Sequence, residues 1–391
     1  MTSKPAKARL PMLAAALLCF AAGSLYAWSS MIPALLVRYD VGVQQAGQVF
    51  SFAIVAFSLA VLLFPYLPAP MKSSRAAAAA GVLAAISLVL ATVAPGFDLF
   101  LLFYSLGFGA MSGIIYIQTV ELAAKSSAPA VLTPLMVAAF GLGGVVFGPT
   151  IRALVALNWQ LAALLPVALA LIVAAALVFA FPAHEQAAST ATNRDTAPII
   201  APPRAGHVAL LWTIFAFGSG TGLMVLGLAS AIIEDRGAAT ALSATVLAVI
   251  ALGNTGGRLS VSLLGQWLPP IIIAGLSPIL AAIGLLTLII SPNVYAGGIG
   301  LTLVALSYGL MASAMPVLTR ALTSTLTFGH TFALVFTAWG VAGLLSPWLA
   351  GTSFDATGSF TAALYFALAS SLIALVTIAA FARFPRAVRA G

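Results

Sequence analysis

The sequence predicts an all-α integral membrane protein: twelve transmembrane helices in two pseudo-symmetric six-helix halves. Three observations predict it. The 391-residue chain is 62% hydrophobic and 6% charged, whereas a soluble domain covers itself with about 25% charged residues. Its apolar residues come in repeated runs of about 20, the length that crosses a ~30 Å hydrocarbon core. The two halves of the chain also echo each other: LGFGAMSG at 106–113 returns as LSYGLMAS at 306–313, and FGLGG at 140–144 returns as WGVAG at 339–343. A common offset near half the chain length is the mark of repeated six-helix units. Runs such as 163–181 do not alternate apolar with polar residues, which argues against a transmembrane β-barrel.

Pro, Gly and charged residues punctuate the spans. The first runs over 11–35. It follows Lys4, Lys7 and Arg9 and imitates a secretory signal, but its apolar stretch from Leu10 to Val37 exceeds a signal core of about 7–15 residues. The next five cover 45–66, 74–94, 98–122, 130–151 and 159–181. A polar stretch follows, with His184, Glu185, Arg194, Asp195 and Arg204 among Ala, Ser, Thr and Pro. That composition builds no core and reads as a flexible linker. Six more spans cover 208–231, 240–265, 269–291, 294–318, 329–350 and 359–381. The expected organisation is therefore an N-terminal half (1–181), a cytoplasmic linker (182–206) and a C-terminal half (207–391).

The basic residues set the orientation. With both termini in the cytoplasm, that side holds Lys4, Lys7, Arg9, Lys72, Arg75, Lys125, Arg194, Arg204, Arg320, Arg383, Arg386 and Arg389, against Arg38, Arg152 and Arg236 outside. The positive-inside rule favours this topology, in a bacterial inner membrane. The net charge of +8 is scattered between apolar runs rather than massed on one face, so no nucleic-acid partner is expected. Cys19 is the single cysteine, which excludes an internal disulfide. The expected partners are the lipid bilayer and a small organic anion, and the expected state is a monomer.

At this level the sequence resembles the major facilitator superfamily, and more narrowly the oxalate:formate antiporters and monocarboxylate transporters. The residues that carry the resemblance are GSLYAWS (23–29), LGFGAMSGIIYI (106–117), FGLGGVVFGP (140–149), GTGLMVLG (220–227), NTGGR (254–258), YGLMASAMP (308–316) and FGHTFALVFTAWGVAGLLSPWLAG (328–351). The resemblance implies the major facilitator fold and transport by alternating access. Departures accompany it. The superfamily's acidic and basic signature between spans two and three is replaced by LPAPMKSSRAAAAAG (67–81), its counterpart after span eight by GQWLPP (265–270), and the basic stretch after span four by Lys125 alone. These signatures latch conformations in the family, so the resemblance leaves gating open. Oxalate-transporting members carry a lysine in span eleven where this chain has Trp339; the span-eight arginine is retained as Arg258.

Arg258 is the leading candidate for the site. A guanidinium stays charged in a protein, and at the centre of a membrane helix it costs about 2.5–3.5 kcal/mol on insertion scales. Gly265 lies seven residues further on, which places Arg258 roughly 10 Å deep at 1.5 Å per residue. Asn254, Arg258 and Ser262 are four apart and share one helix face. The bland readings are snorkelling to the surface or a structural bond to backbone carbonyls. The functional reading is a carboxylate gripped by two parallel hydrogen bonds. If Trp339 faces the cavity it adds apolar surface and one N–H, not a second cation, and one arginine then balances one carboxylate. Packing or an interfacial anchor are its alternatives.

Tyr26 and Trp28 in span one, Ser112 and Tyr116 in span four, and Tyr308 in span ten are further candidates to line the cavity. A mid-membrane tyrosine needs a hydrogen-bond partner. Ser105, Ser112, Tyr116 and Thr119 follow spacings of 7, 4 and 3, one face of a helix. Aromatic packing, or hydroxyls bonded to the preceding turn, would explain the same residues. The glycine-rich stretches read as close helix packing, His330 as a solvated helix start, and Glu121 with Lys125 as an exposed pair. GSGTG at 218–222 lies in an apolar helix with no lysine after it, so it is not a phosphate loop.

The eight acids, Asp40, Asp98, Glu121, Glu185, Asp195, Glu234, Asp235 and Asp355, all fall in loops or at helix ends. Proton-driven carriers commonly place one inside the membrane. Exchange or facilitated transport of an anion is therefore favoured over carboxylate-driven proton coupling, with a proton riding on the substrate left open. No metal, cofactor or enzymatic activity is expected. The rival functions are a proton-coupled exporter of hydrophobic compounds and a non-transporting sensor or partner subunit.

Overall fold

The computed structural model describes residues 9–72, 74–182, 205–237 and 240–383. Most of the expected linker lies outside them, as do Lys4, Lys7, Arg386 and Arg389 of the chain ends. Among the described residues twelve helices are long and apolar enough to cross a membrane, one for each expected span.

The first helix, α1, begins at Arg9–Ala22, tightens into a 3-10 stretch over Gly23–Met31 and resumes over Ile32–Tyr39. Helices α2 (Val43–Leu63) and α3 (Ser74–Thr92) follow. Helix α4 runs through Phe97–Leu101, a π-helical Leu102–Phe108 and Gly109–Ala124. Next come α5 (Pro129–Ala156) and α6, which opens with a 3-10 turn over Gln160–Leu164 and continues over Leu165–Ala180. The second set is α7 (Ala205–Asp235), α8 (Thr240–Leu264), α9 (Pro270–Ile290), α10 (Val294–Ala321), α11 (Phe328–Thr357) and α12 (Thr361–Arg383).

Local chemistry explains the ends. Proline opens α5 and α9, where the first N–H has no intrahelical acceptor anyway. Asn293 caps α10, its side chain accepting from the N–H of Tyr295 at 2.8 Å and of Ala296 at 3.2 Å. Gly358, with φ 66°, ends α11 in the left-handed conformation that glycine adopts without strain. The 3-10 break in α1 and the π segment in α4 are not visible in hydropathy. Such irregular turns are frequent at hinges and functional sites, and both lie on helices that carry candidate residues.

Because successive helices cross in opposite directions, the ends of α2, α4, α6, α8 and α10 share one side, the linker side. Leu59, Leu83, Leu169, Phe179, Leu252, Ile290 and Val376 are exposed, as side chains facing lipid tails would be. The first six helices pack through α1 on α5 and α6, α2 on α4, and α3 on α6. The last six pack through α8 and α9 on α10, and α7 on α11 and α12. The two sets meet where α5 lies on α8 and α10, and where α2 lies on α11.

Their described meeting points run from the linker side to mid-depth. Tyr66 packs edge-on against His330 at 5.4 Å. Ser262 donates to the carbonyl of Val131 at 3.1 Å. Arg320, at the end of α10, donates through Nε to the Ala124 carbonyl at the end of α4, at 3.1 Å. Glu121 pairs with Lys125 at 2.6 Å, but its side chain is only 17% exposed: the carboxylate lies against Gly329 at the start of α11. The pair is therefore exposed on the lysine side only, which corrects the sequence expectation. One large core runs continuously through both sets. A second core, built from residues such as Met224, Ile233, Leu285, Leu301 and Phe360, belongs to the last six helices alone. The assembly is thus closed on the linker side.

Arg320 places a cation on the C-terminal carbonyls of a helix from the other set, a favourable charge–dipole contact. Replacing it removes a charge-assisted bond of about 1.5–3 kcal/mol. Arg320→Gln is expected to raise maleimide labelling of a cysteine introduced at Ala130, in a Cys19→Ser background, by roughly tenfold, the factor that 1.4 kcal/mol confers.

Candidate functional site

The NTGGR segment shows how one helix carries glycines and an arginine for different reasons. On one side of α8, a Cβ at Gly257 would lie 2.0 Å from the Leu306 carbonyl oxygen, and one at Gly309 of α10 would lie 1.9 Å from the Asn254 carbonyl oxygen. The two backbones touch, as small residues permit in membrane helices. The polar side, Asn254, Arg258 and Ser262, turns towards α5.

Arg258 is 2% exposed. Its Nε donates to Asn254 Oδ1 at 2.8 Å, and one terminal nitrogen donates to the Val137 carbonyl on α5 at 3.1 Å. Asn254 lies one turn back on the same helix and orients the guanidinium. Val137 belongs to the opposite set, so the arginine bridges the two. The side chain fits because α5 presents Gly141: a Cβ there would sit 2.7 Å from both Cδ and Nε of Arg258. A guanidinium has five N–H groups. Two are used in these bonds, which leaves three. No carboxylate among the described residues pairs with Arg258. Its charge is solvated by amide and carbonyl dipoles and by aromatic faces, without neutralisation.

Those faces are Tyr26 of α1 and Tyr308 of α10, whose ring centroids lie 5.7 Å and 5.6 Å from the guanidinium carbon, within cation–π range. The two hydroxyls meet at 3.2 Å. Trp339 of α11 donates from Nε1 to the Tyr308 hydroxyl at 2.8 Å. Tyr308 is fully buried, whereas Tyr26 is partly exposed. Glycines seat these rings too, Gly144 against Tyr26 and Gly222 against Tyr308. Beyond them lies an aromatic cluster. Phe57 contacts Tyr116, Phe140, Phe336 and Trp339 with centroids 5.5–5.7 Å apart.

The structure therefore brings Arg258, Asn254, Tyr26, Tyr308, Trp339 and Tyr116 into one connected group. Trp28 is not in it. It packs at a tilt against Tyr104 at 4.7 Å and Phe100 at 6.1 Å, and its indole N–H is buried without a partner among the described residues. Ser112 is fully buried with an unpaired hydroxyl. The rest of its helical stripe serves the backbone: Ser105 donates to the Val49 carbonyl and Thr119 to that of Tyr116. Gly141 was read from the sequence as a packing glycine only, and Val137, Phe57, Phe140 and Phe336 were not singled out. Phe336 lies one turn from Trp339, a spacing that places both on one face; the others carry no signal beyond apolarity or glycine packing.

The architecture decides the fold. The chain superimposes on a proton:xylose symporter, XylE, with a TM-score of 0.79 over 98% of this chain and 96% of that one, at 13% identity. The chain has the major facilitator fold. The same fold relates it to a human organic anion transporter, MFSD10, with a TM-score of 0.75 over 97% of this chain and all of that one, at 14% identity. FucP, a major facilitator transporter in its outward conformation, matches with a TM-score of 0.68 over 95% of this chain and 99% of that one, at 16% identity. In sequence, the chain is 23% identical over 337 residues to an uncharacterised MFS-type transporter of Escherichia coli K12, YhjX, covering 83% of each chain. No family model matches it. In this fold, the Arg258 group stands between the two six-helix sets.

Proposed function

We propose that this chain is a secondary transporter that moves a small organic anion, a monocarboxylate, across the membrane by alternating access of two six-helix halves. The observation that carries this reading is Arg258: buried, bonded across the two helix sets, and facing no acid among the described residues. A permanent cation in such a place is stabilised by an anion that enters beside it. One cation suits one carboxylate, and the neighbouring rings suit an apolar body.

A proton-coupled exporter of hydrophobic compounds finds support in those same rings, but the group contains no carboxylate to carry the proton. A non-transporting sensor finds support in the lost family signatures; against it stand the Arg320 and Glu121 contacts at the same linker-side location. The test is the melting temperature of the purified chain against formate, acetate, lactate, pyruvate, benzoate, oxalate, malate and citrate. Monocarboxylates are expected to raise it in a saturable way, by an amount that follows ligand concentration over Kd. A chain that responds to none of these anions would refute the assignment.

A further inference from the structure

The hydrogen-bond relay beside Arg258 has a direction, and that direction selects the protonation state of the substrate. The inference rests on the carboxylate reading above. An indole N–H only donates, so at the bond between Trp339 and Tyr308 the tyrosine oxygen accepts. Tyr308 is 0% exposed, and a buried hydroxyl proton left without an acceptor costs about 1–3 kcal/mol. The acceptor given to it among the described residues is the Tyr26 oxygen, 3.2 Å away. Tyr308 therefore donates to Tyr26, and the proton of Tyr26 is left over. Tyr26 is the partly exposed member of the pair, so that proton is the one available to a ligand.

The polar groups that point at a ligand here are thus the unused N–H groups of Arg258 and the O–H of Tyr26. Asn254 Oδ1 and the Val137 carbonyl already accept from Arg258 itself. A carboxylate offers acceptors only and a full negative charge. A protonated acid would leave the guanidinium unneutralised, which is costly in a buried site. We infer that the carrier binds and moves its substrate as the ionised carboxylate, with Tyr26 as a second donor beside Arg258 and Trp339 as the positioning residue that aims the Tyr26 proton. Net transport then carries one negative charge per substrate, and exchange of two monoanions is electrically silent.

The titratable groups near Arg258 are Tyr26 and Cys19 on α1, Tyr116 on α4 and Tyr308 on α10. Free tyrosine and cysteine ionise at about 10 and 8.5. Between pH 5.5 and 7.5 the free acid of lactate or benzoate falls ~100-fold while the anion stays nearly constant, since simple carboxyls titrate near 4.

The experiment measures lactate and benzoate affinity across that window, by melting temperature and by currents from proteoliposomes on a solid-supported membrane. Affinity expressed per anion is expected to stay flat, and a substrate jump onto vesicles without internal substrate should give a current of the sign of inward negative charge, from binding or net transport, whose sustained part is lost when the same monoanion is loaded inside. Affinity that follows the free acid, without current, would overturn the inference while leaving the carboxylate reading standing. No response to either acid at any pH, nor to the wider panel, would overturn both. Variants test the relay. Tyr26→Phe should weaken anion binding roughly tenfold. Trp339→Phe keeps the ring but lets Tyr26 turn its proton back to Tyr308, so it should weaken binding similarly. The double variant should be no worse than Tyr26→Phe alone. A double variant that loses the product of the two single effects would show that Trp339 acts by packing and would sink the relay.

Discussion

Arg258→Gln is expected to abolish carboxylate binding while leaving the empty protein as stable as the parent, or more so. Glutamine is two atoms shorter and keeps a polar amide on this face of α8, but it carries no charge and gives up the reach to Val137. Removing one member of a buried, hydrogen-bonded ion pair costs about 3–5 kcal/mol, so affinity should fall by roughly two to four orders of magnitude at 1.36 kcal/mol per decade. In the empty protein the sign reverses. An arginine in the middle of a span costs about 2.5–3.5 kcal/mol, and two hydrogen bonds and two ring faces compensate it only in part. The variant's melting temperature without ligand should therefore not drop. Arg258→Lys should recover at most a small fraction of the affinity. An ammonium cannot make the planar two-point contact, nor reach Asn254 and Val137 together with its present geometry. Thermal shift and radiolabelled uptake on the three proteins decide the matter. Retention of the carboxylate response in Arg258→Gln would end the anion assignment.

Gly309→Val is expected to have the largest structural effect. A Cβ at this position would lie 1.9 Å from the Asn254 carbonyl oxygen and 3.1 Å from the Arg258 backbone nitrogen. Both are main-chain atoms of a neighbouring helix, so no side-chain rotation relieves the overlap. Overpacking commonly costs about 1–3 kcal/mol where side chains can adjust, and here the whole α8–α10 contact has to open. The expected result is loss of the monodisperse species in size-exclusion chromatography. Any folded fraction should lack carboxylate response, because α8 carries the arginine. Gly256→Ala, on the same turn of α8 between Asn254 and Arg258, meets nothing within 4 Å and should behave as the parent. Equal yields for the two variants would show that the α8–α10 backbone contact is not needed.

The fold was largely legible. Each of the twelve spans was marked by an apolar run of membrane-crossing length, because a helix in lipid must satisfy its own backbone and hide its polar groups. The echo of LGFGAMSG in LSYGLMAS likewise paired α4 with α10. The irregular turns in α1 and α4 were not legible, since hydropathy averages over a window and does not register an i→i+3 or i→i+5 bond. For the site, chemistry singled out Arg258, Asn254, Tyr26 and Tyr308, because charge and hydroxyl groups at mid-span are conspicuous by cost. The same rule proposed Trp28, which the structure turns instead to Tyr104 and Phe100. Phe57, Phe140 and Phe336 were invisible for the opposite reason: one more apolar residue in an apolar span bears no mark.

What the sequence determined alone was the number of spans and the single unbalanced charge among them, because both are sums over local composition. Only the tertiary structure decided what that charge touches. Val137 lies 121 residues from Arg258, and Tyr26 lies 282 from Tyr308. Their meeting depends on glycines that let helix backbones close to contact, a property of paired surfaces that no single helix contains.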